Sequence, residues 1–254
     1  RVQYASGRFY SSDKNTLLKD LDSLFNECVK VTVPGLARAI ISPHAGYIYS
    51  GKTAASAFST VPAEGQYENI FIIGSTHVMS FGGASVYGSG DYVTPLGKAE
   101  VNKEITQILK EHEEFAYPES FHNNDHNIEV QVPLIQYYFK DAPKIVPIII
   151  GTEDREKLKK MAEILSTWFD PKNLFIISSD FSHYPSYGDA MVIDSLTAEA
   201  IMSGNPNTFL RVLNRNSTLK VPNLVTSMCA WTSGLLFLEM VNGNKNLKFH
   251  KISF

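Results

Sequence analysis

Short apolar runs that stop abruptly at small or polar residues, separated by segments of helical period, set the outline of this chain. Leu36 to Ile41 is the first such run, interrupted by Arg38, and it stops at Ser42-Pro43-His44. Asn69 to Ile73 is the second, closed by Gly74-Ser75-Thr76-His77. Lys144 to Ile150 is the third and ends in Gly151; Asn173 to Ser178 is the fourth and leads into Ser179-Asp180-Phe181-Ser182-His183. Apolar runs of this length, bounded by turn residues, read as strands buried in a sheet. Between them the period changes. Leu17, Leu21, Leu24, Phe25 and Cys28 recur three or four apart after a Ser11-Ser12-Asp13 cap, which predicts a helix with Cys28 on its core face.

The same reasoning predicts an Ala-rich helix over Thr53 to Phe58 and further helices over Lys98 to Lys110 and Asp154 to Phe169. Ile128, Val132, Ile135 and Phe139 carry the helical period through Asp125 to Phe139, with Pro133 expected to bend that helix. Tyr187 to Met202, Pro206 to Asn214 and Gly234 to Val241 complete the helices. Phe81 to Leu96 is Gly-rich with short β-like pieces, a hairpin or a lid, and Lys248 to Phe254 reads as an edge strand. The glycines of Phe81 to Leu96 are too irregular for a nucleotide-binding fingerprint, because no GxGxxG opens a helix there. Strand and helix alternate without repeats or long linkers. The expectation is one α/β domain over residues 1–254 with a central, mostly parallel or mixed sheet.

Composition narrows the function classes. The chain has 254 residues, is 44% hydrophobic and carries a formal charge of -3, which argues against nucleic acid or an anionic membrane surface as partner. No apolar run approaches the roughly 18 residues of a membrane span, and no signal peptide opens the sequence. Two cysteines, Cys28 and Cys229, do not make a disulfide framework, and a cytoplasmic location is expected.

Chemistry gathers at the strand ends. His44, His77 and His183 each follow a buried strand, where open α/β sheets place their ligands. With Asp180 alongside, they point to a metal or acid–base site. Cys229 precedes an apolar helix whose positive end favours thiolate, so it is a metal ligand, a nucleophile or a buried core residue. Asp180 is a ligand, an orienter of a histidine or a helix cap. His126 and Glu129, three apart, can reach one cleft or serve structure, and Tyr47, Tyr49 and Tyr184 can line a pocket. His112, His122 and His250 read as surface residues. A hydrolase reading stays open through a Cys229–histidine pair or a zinc site, although no GxSxG elbow supports a serine triad.

Pro43-His44-Ala45-Gly46-Tyr47 with Tyr49 and Gly51, Gly74-Ser75-Thr76-His77, Asp125-His126-Asn127-Ile128-Glu129 with Pro133, Ser178-Ser179-Asp180-Phe181-Ser182-His183 and Cys229 together resemble the Memo family. Its prokaryotic members are called AmmeMemoRadiSam system protein B. The Gly7-Arg8-Phe9-Tyr10 opening resembles the family's N-terminus as well. The resemblance implies an αβα sandwich like the class III extradiol ring-cleavage dioxygenases of LigB type. It further implies His44, His77 and Cys229 as metal ligands, with Fe(II) first and Cu or Zn as alternatives, and His183 with Asp180 as an acid–base pair. The thiolate stands where those dioxygenases have a glutamate, which puts catechol-type activity in question. The partners implied are a small molecule or peptide and, by family association, the system's protein A and a radical SAM protein. A non-enzymatic binding or signalling module using the same cleft is the alternative.

Overall fold

Successive residues of a strand face opposite sides of a sheet, so an all-apolar strand needs cover on both. The computed structural model describes residues 1–253 and supplies that cover. In chain order the elements are α1 (Lys14–Glu27), β1 (Ala39–Ser42), α2 (Tyr47–Phe58), β2 (Asn69–Ser75), β3 (Ala84–Val86), β4 (Tyr92–Thr94), β5 (Gly97–Ala99), α3 (Lys103–Lys110), α4 (Gln131–Tyr138), β6 (Lys144–Ile150), α5 (Arg155–Ser166), β7 (Asn173–Ser178), α6 (Tyr187–Met202), α7 (Pro206–Thr218) and α8 (Trp231–Val241). Five strands form one mixed sheet in the order β1-β7-β2-β6-β3, parallel except for β3, while β4 and β5 pair separately.

Alternation along the strands builds two cores. Ile70 and Ile72 of β2, with Leu174 and Ile176 of β7, face the layer made by α1, α2 and α4. Phe71 and Ile73, with Phe175 and Ile177, face α5, α8 and the inner sides of α3, α6 and α7. Each such side chain contributes on the order of 2–3 kcal/mol by leaving water. At the amino ends of the strands, the buried Asn69 donates to buried Asn173 (2.9 Å) and accepts from half-buried Asn102 (2.7 Å), so the amides of three segments satisfy one another.

Several expectations shift for local reasons. Arg38 lies just before β1, and its guanidinium donates to Phe169 O over the Phe169 ring, so it does not interrupt the strand. The helix expected from Lys98 starts at Lys103, because Gly97–Ala99 pairs with β4 and the Asn102 side chain caps Ile105 N at 3.1 Å. The helix expected from Asp125 starts at Gln131. Pro133 therefore falls in its first turn, where its missing N–H has no partner to lose, and no bend is required. In the Gly-rich segment, β3 closes the sheet edge rather than forming a lid. Lys248 to Ser253 forms no strand; Phe249 packs against the second core instead, and Phe254 lies outside the described residues.

His122, expected at the surface, is fully buried. Its Nε2–H donates to Ser85 O (3.0 Å), so Nδ1 is bare and accepts the Tyr92 hydroxyl (2.9 Å). Burial pushes its pKa down to about 4 from an ordinary 6.5. The unfolded chain takes up this proton first as pH falls, so stability is lost between pH 6.5 and about 4. A His122→Gln variant keeps a donor and an acceptor but cannot titrate. Urea unfolding across that pH range is expected to show its acid loss smaller than wild type's by roughly 3 kcal/mol; equal losses would contradict this origin.

Candidate metal centre

Sheet order turns a repeated sequence pattern into a single cluster. β7 lies between β1 and β2 and all three run parallel, so the turns after Ser42, Ser178 and Ser75 lie side by side at the carboxyl edge. The segment carrying Cys229 is laced onto them. His183 N donates to Thr226 O (3.2 Å), Val225 N to His183 O (3.3 Å) and Cys229 N to Asp180 O (3.1 Å). The Ser75 hydroxyl meets Thr232 Oγ1 (2.7 Å) and Ser233 Oγ (2.9 Å), which ties the start of α8 to the end of β2.

His44 is buried and its tautomer follows from its neighbours. Ser178 Oγ gives its one proton to Asn127 O at 2.7 Å, so it accepts from His44 Nδ1–H at 3.0 Å. Gln131 adds its amino group to the same hydroxyl (2.9 Å) while also reaching Ser42 O (3.2 Å) and Pro43 O (2.9 Å). His44 Nε2 then faces inward, 3.2 Å from Cys229 Sγ. Asp180 Oδ1 accepts the backbone N–H of His44 (2.8 Å) and Ala45 (3.1 Å), holding the turn in place.

His77 is fixed in the same way by a carboxylate. Asp125 Oδ1 accepts from His77 Nδ1–H (3.1 Å) and Oδ2 accepts its backbone N–H (2.7 Å), leaving Nε2 to meet the Cys229 sulfur. Burial works against ionisation of Asp125, but the paired His77 lowers its pKa. Gly74 permits the close approach: a Cβ there would lie 2.7 Å from the Asn127 side chain, whose amide donates to Ser75 O (2.6 Å). His126 completes the group. Its ring stacks on Phe9 (centroids 4.1 Å apart) and stands 4.7 Å from the His77 ring and 5.3 Å from that of His44.

Donor atoms of His44, His77 and His126 all lie within 4.8 Å of one another, and so do those of His44, Asp180 and Cys229. Burial disfavours the Cys229 thiolate, yet His44, His183 and His77 outweigh it and bring the thiol down to about 4 from 9.0. Burial likewise lowers His77, but Asp125 and Cys229 lift it to about 10. Asp180 and Cys229 raise His183 to about 9. Imidazoles with a thiolate form a borderline-soft donor set, which fits Fe, Cu or Zn and does not fit Mg or Ca. Side-chain exposure runs from 1% at His44 to 29% at His77 and 31% at His183, so access is from the side of the last two.

His44, His77, His183, Asp180, Cys229 and His126 are thus brought together, and four other expected residues are placed differently. Glu129 is buried away from the cleft, accepting from Arg1 Nη1 (2.7 Å), Tyr4 N (2.8 Å), Ala5 N (2.8 Å) and Tyr10 Oη (2.6 Å). Tyr47 is buried with its hydroxyl on Val130 O (2.8 Å), so it offers nothing to a ligand. Tyr49 and Tyr184 are exposed rather than enclosed by a pocket. Asp180 Oδ2 is 3.7 Å from His183 Nε2, beyond hydrogen-bond length, and its short contacts go to the His44 turn. Asp125, Gln131 and Ser178 had not been singled out for these roles. Gln131, a polar side chain within the apolar stretch from Ile128 to Ile135, was the visible signal.

The fold and cluster define an α/β protein with a histidine–cysteine group at the carboxyl edge of its sheet. The chain matches the signature of the family described as "Memo-like protein" over residues 1–253. It is 31% identical over 217 residues to a "MEMO1 family protein" of Sulfurisphaera tokodaii, covering 80% of this chain and 76% of that one. A "MEMO1 family protein" of Thermococcus onnurineus is 34% identical over 196 residues, covering 74% and 67% of the two chains. The chain belongs to the Memo family. Among solved structures, uncharacterized protein JW3007 from Escherichia coli K12 overlaps with a TM-score of 0.48 at 18% identity, over 73% of this chain and 79% of that one, a likeness that carries no argument.

In metal-free protein, a thiol titrating near 4 is expected to be alkylated by iodoacetamide at a rate almost flat between about pH 6 and 8, where an ordinary thiol speeds up about tenfold per pH unit. Replacing the nearest cation, His44→Ala, is expected to restore part of the pH dependence. Mass spectrometry of Cys229 reads both; an ordinary profile in wild type would contradict the thiolate.

Proposed function

We propose that this protein binds a metal ion, a redox-active one first (Fe(II), then Cu) with redox-inert Zn as the alternative, through His44, His77 and Cys229, in a cleft of dioxygenase-like design. The observation that carries this reading is the convergence of His44 Nε2 on Cys229 Sγ at 3.2 Å, with Nδ1 of both His44 and His77 already engaged by Ser178 and Asp125. Outer partners of this kind orient imidazoles for a metal and raise their basicity. A bound redox-active ion would supply electrons for oxygen or substrate chemistry.

The protein's own residues supply the rest. His183 is the more open histidine and, with a pKa raised to about 9 by Asp180 and Cys229, holds a proton at neutral pH for an incoming oxygen or substrate atom. Asp180 keeps the His44 turn closed against the thiolate. A small molecule is the expected occupant of the open side.

The same 3.2 Å sulfur–imidazole contact also favours a second reading, a cysteine-dependent hydrolase using a Cys229–His44 pair. Metal uptake separates the two. After anaerobic purification, wild type is expected to take up one equivalent of Fe(II), Cu or Zn at micromolar concentration and to lose alkylation of Cys229 when loaded. Cys229→Ala and His44→Ala are each expected to weaken uptake by about a hundredfold or more, since each removes a ligand rather than one of the outer partners that alone carry 10–100-fold. Unchanged uptake in both variants would remove this site assignment, and no uptake by wild type would favour the nucleophile.

A further inference from the structure

The ring of His126 has a position that core filling does not explain. One face is held by Phe9, whose own backbone is pinned: Phe9 N donates to Ala5 O (2.9 Å) and Phe9 O accepts from Tyr47 N (2.8 Å). Its edge is unclaimed. Among the described residues neither ring nitrogen takes a hydrogen bond, and the nearest carboxylate oxygen, Asp125 Oδ1, is 3.9 Å from Nδ1. The side chain is 19% exposed and its ring nitrogens are not among the fully buried unpaired atoms, so they are open to an occupant of the cleft.

The three imidazoles are arranged as a ring of donors. Centroids are 5.0 Å apart for His44 and His77, 5.3 Å for His44 and His126, and 4.7 Å for His77 and His126. Three donor atoms mutually within 4.8 Å enclose a point no more than about 2.8 Å from each, against about 2.0–2.1 Å for an imidazole–metal bond. Closing that difference requires each donor atom to move inward by roughly 0.8 Å at most. His126 is not interchangeable with His183, whose backbone is tied to Thr226 and Val225 and whose ring lies outside the group formed by His44, His77 and His126.

We propose that His126 is itself a metal ligand, giving a donor set of three imidazoles and the Cys229 thiolate. This deepens the reading above and rests on it. A set of three nitrogens and one sulfur favours Cu and Zn relative to the two-histidine set and leaves less of the ion open to substrate. Phe9 then becomes a positioning residue, coupling the amino-terminal segment to the ion through the stacked ring.

The test compares wild type, His126→Ala, His126→Gly and Phe9→Ala by anaerobic titration with Co(II) and by electron paramagnetic resonance of the Cu(II) forms. Wild type is expected to show thiolate-to-cobalt charge transfer and a hyperfine pattern of three nitrogens. His126→Ala is expected to keep the charge-transfer band, bind about a hundredfold or more weaker, as loss of a ligand rather than an outer partner requires, and show two nitrogens. Added imidazole is expected to restore the third nitrogen in His126→Gly, a rescue that a structural filler would not give. Phe9→Ala is expected to retain three nitrogens with weaker binding. Wild-type affinity and an unchanged nitrogen count in His126→Ala would overturn the inference while leaving the site around Cys229 intact. Absence of the charge-transfer band in wild type would overturn both.

Discussion

One buried hydroxyl decides what the centre can do. Ser178 Oγ has a single proton and spends it on Asn127 O, so His44 must donate from Nδ1 and present Nε2 to Cys229. The hydroxyl itself belongs to the last residue of β7, the strand inserted between β1 and β2. Gln131, from the first turn of α4, completes its bonding and clamps the carbonyls of Ser42 and Pro43. Sheet order, helix placement and histidine tautomer are therefore one arrangement. Loss of any of these partners would leave a buried polar group unpaired at a cost of about 1–3 kcal/mol.

A second anchor lies behind the first. Glu129 takes the backbone of Tyr4 and Ala5, the hydroxyl of Tyr10 and the guanidinium of Arg1, which fastens the amino-terminal segment across the edge of the cluster. From that segment Phe9 reaches His126 on one side and the start of α2 on the other. The carboxylate expected in the cleft thus acts through the chain it holds. A buried charge with this many donors is stable only while all of them stay in place.

What was legible in the sequence follows from what local pattern encodes. The ends of β1, β2, β6 and β7 were visible because fully apolar runs stop sharply at glycine, serine or histidine. The histidines at those ends were therefore placed correctly on their turns, and Cys229 at its helix junction. Lateral order was not visible: nothing in periodicity says that β7 separates β1 from β2, yet that insertion sets Ser178 and Asp180 against the His44 turn and brings the rings of His44 and His77 within 5.0 Å. His122 looked peripheral because its partners, Tyr92 and Ser85, are 30 and 37 residues away. Asp125 and Gln131 were hidden for the same reason, since their roles depend on where β2 and β1 end.

The central claim is that Cys229 and the imidazoles bind one ion together. X-ray absorption at the metal edge of the loaded protein tests it most directly, because it counts neighbours and separates sulfur from nitrogen. The account predicts one sulfur at about 2.3 Å and imidazole nitrogens at about 2.0–2.1 Å. A shell of nitrogen and oxygen alone, with no sulfur, would contradict it.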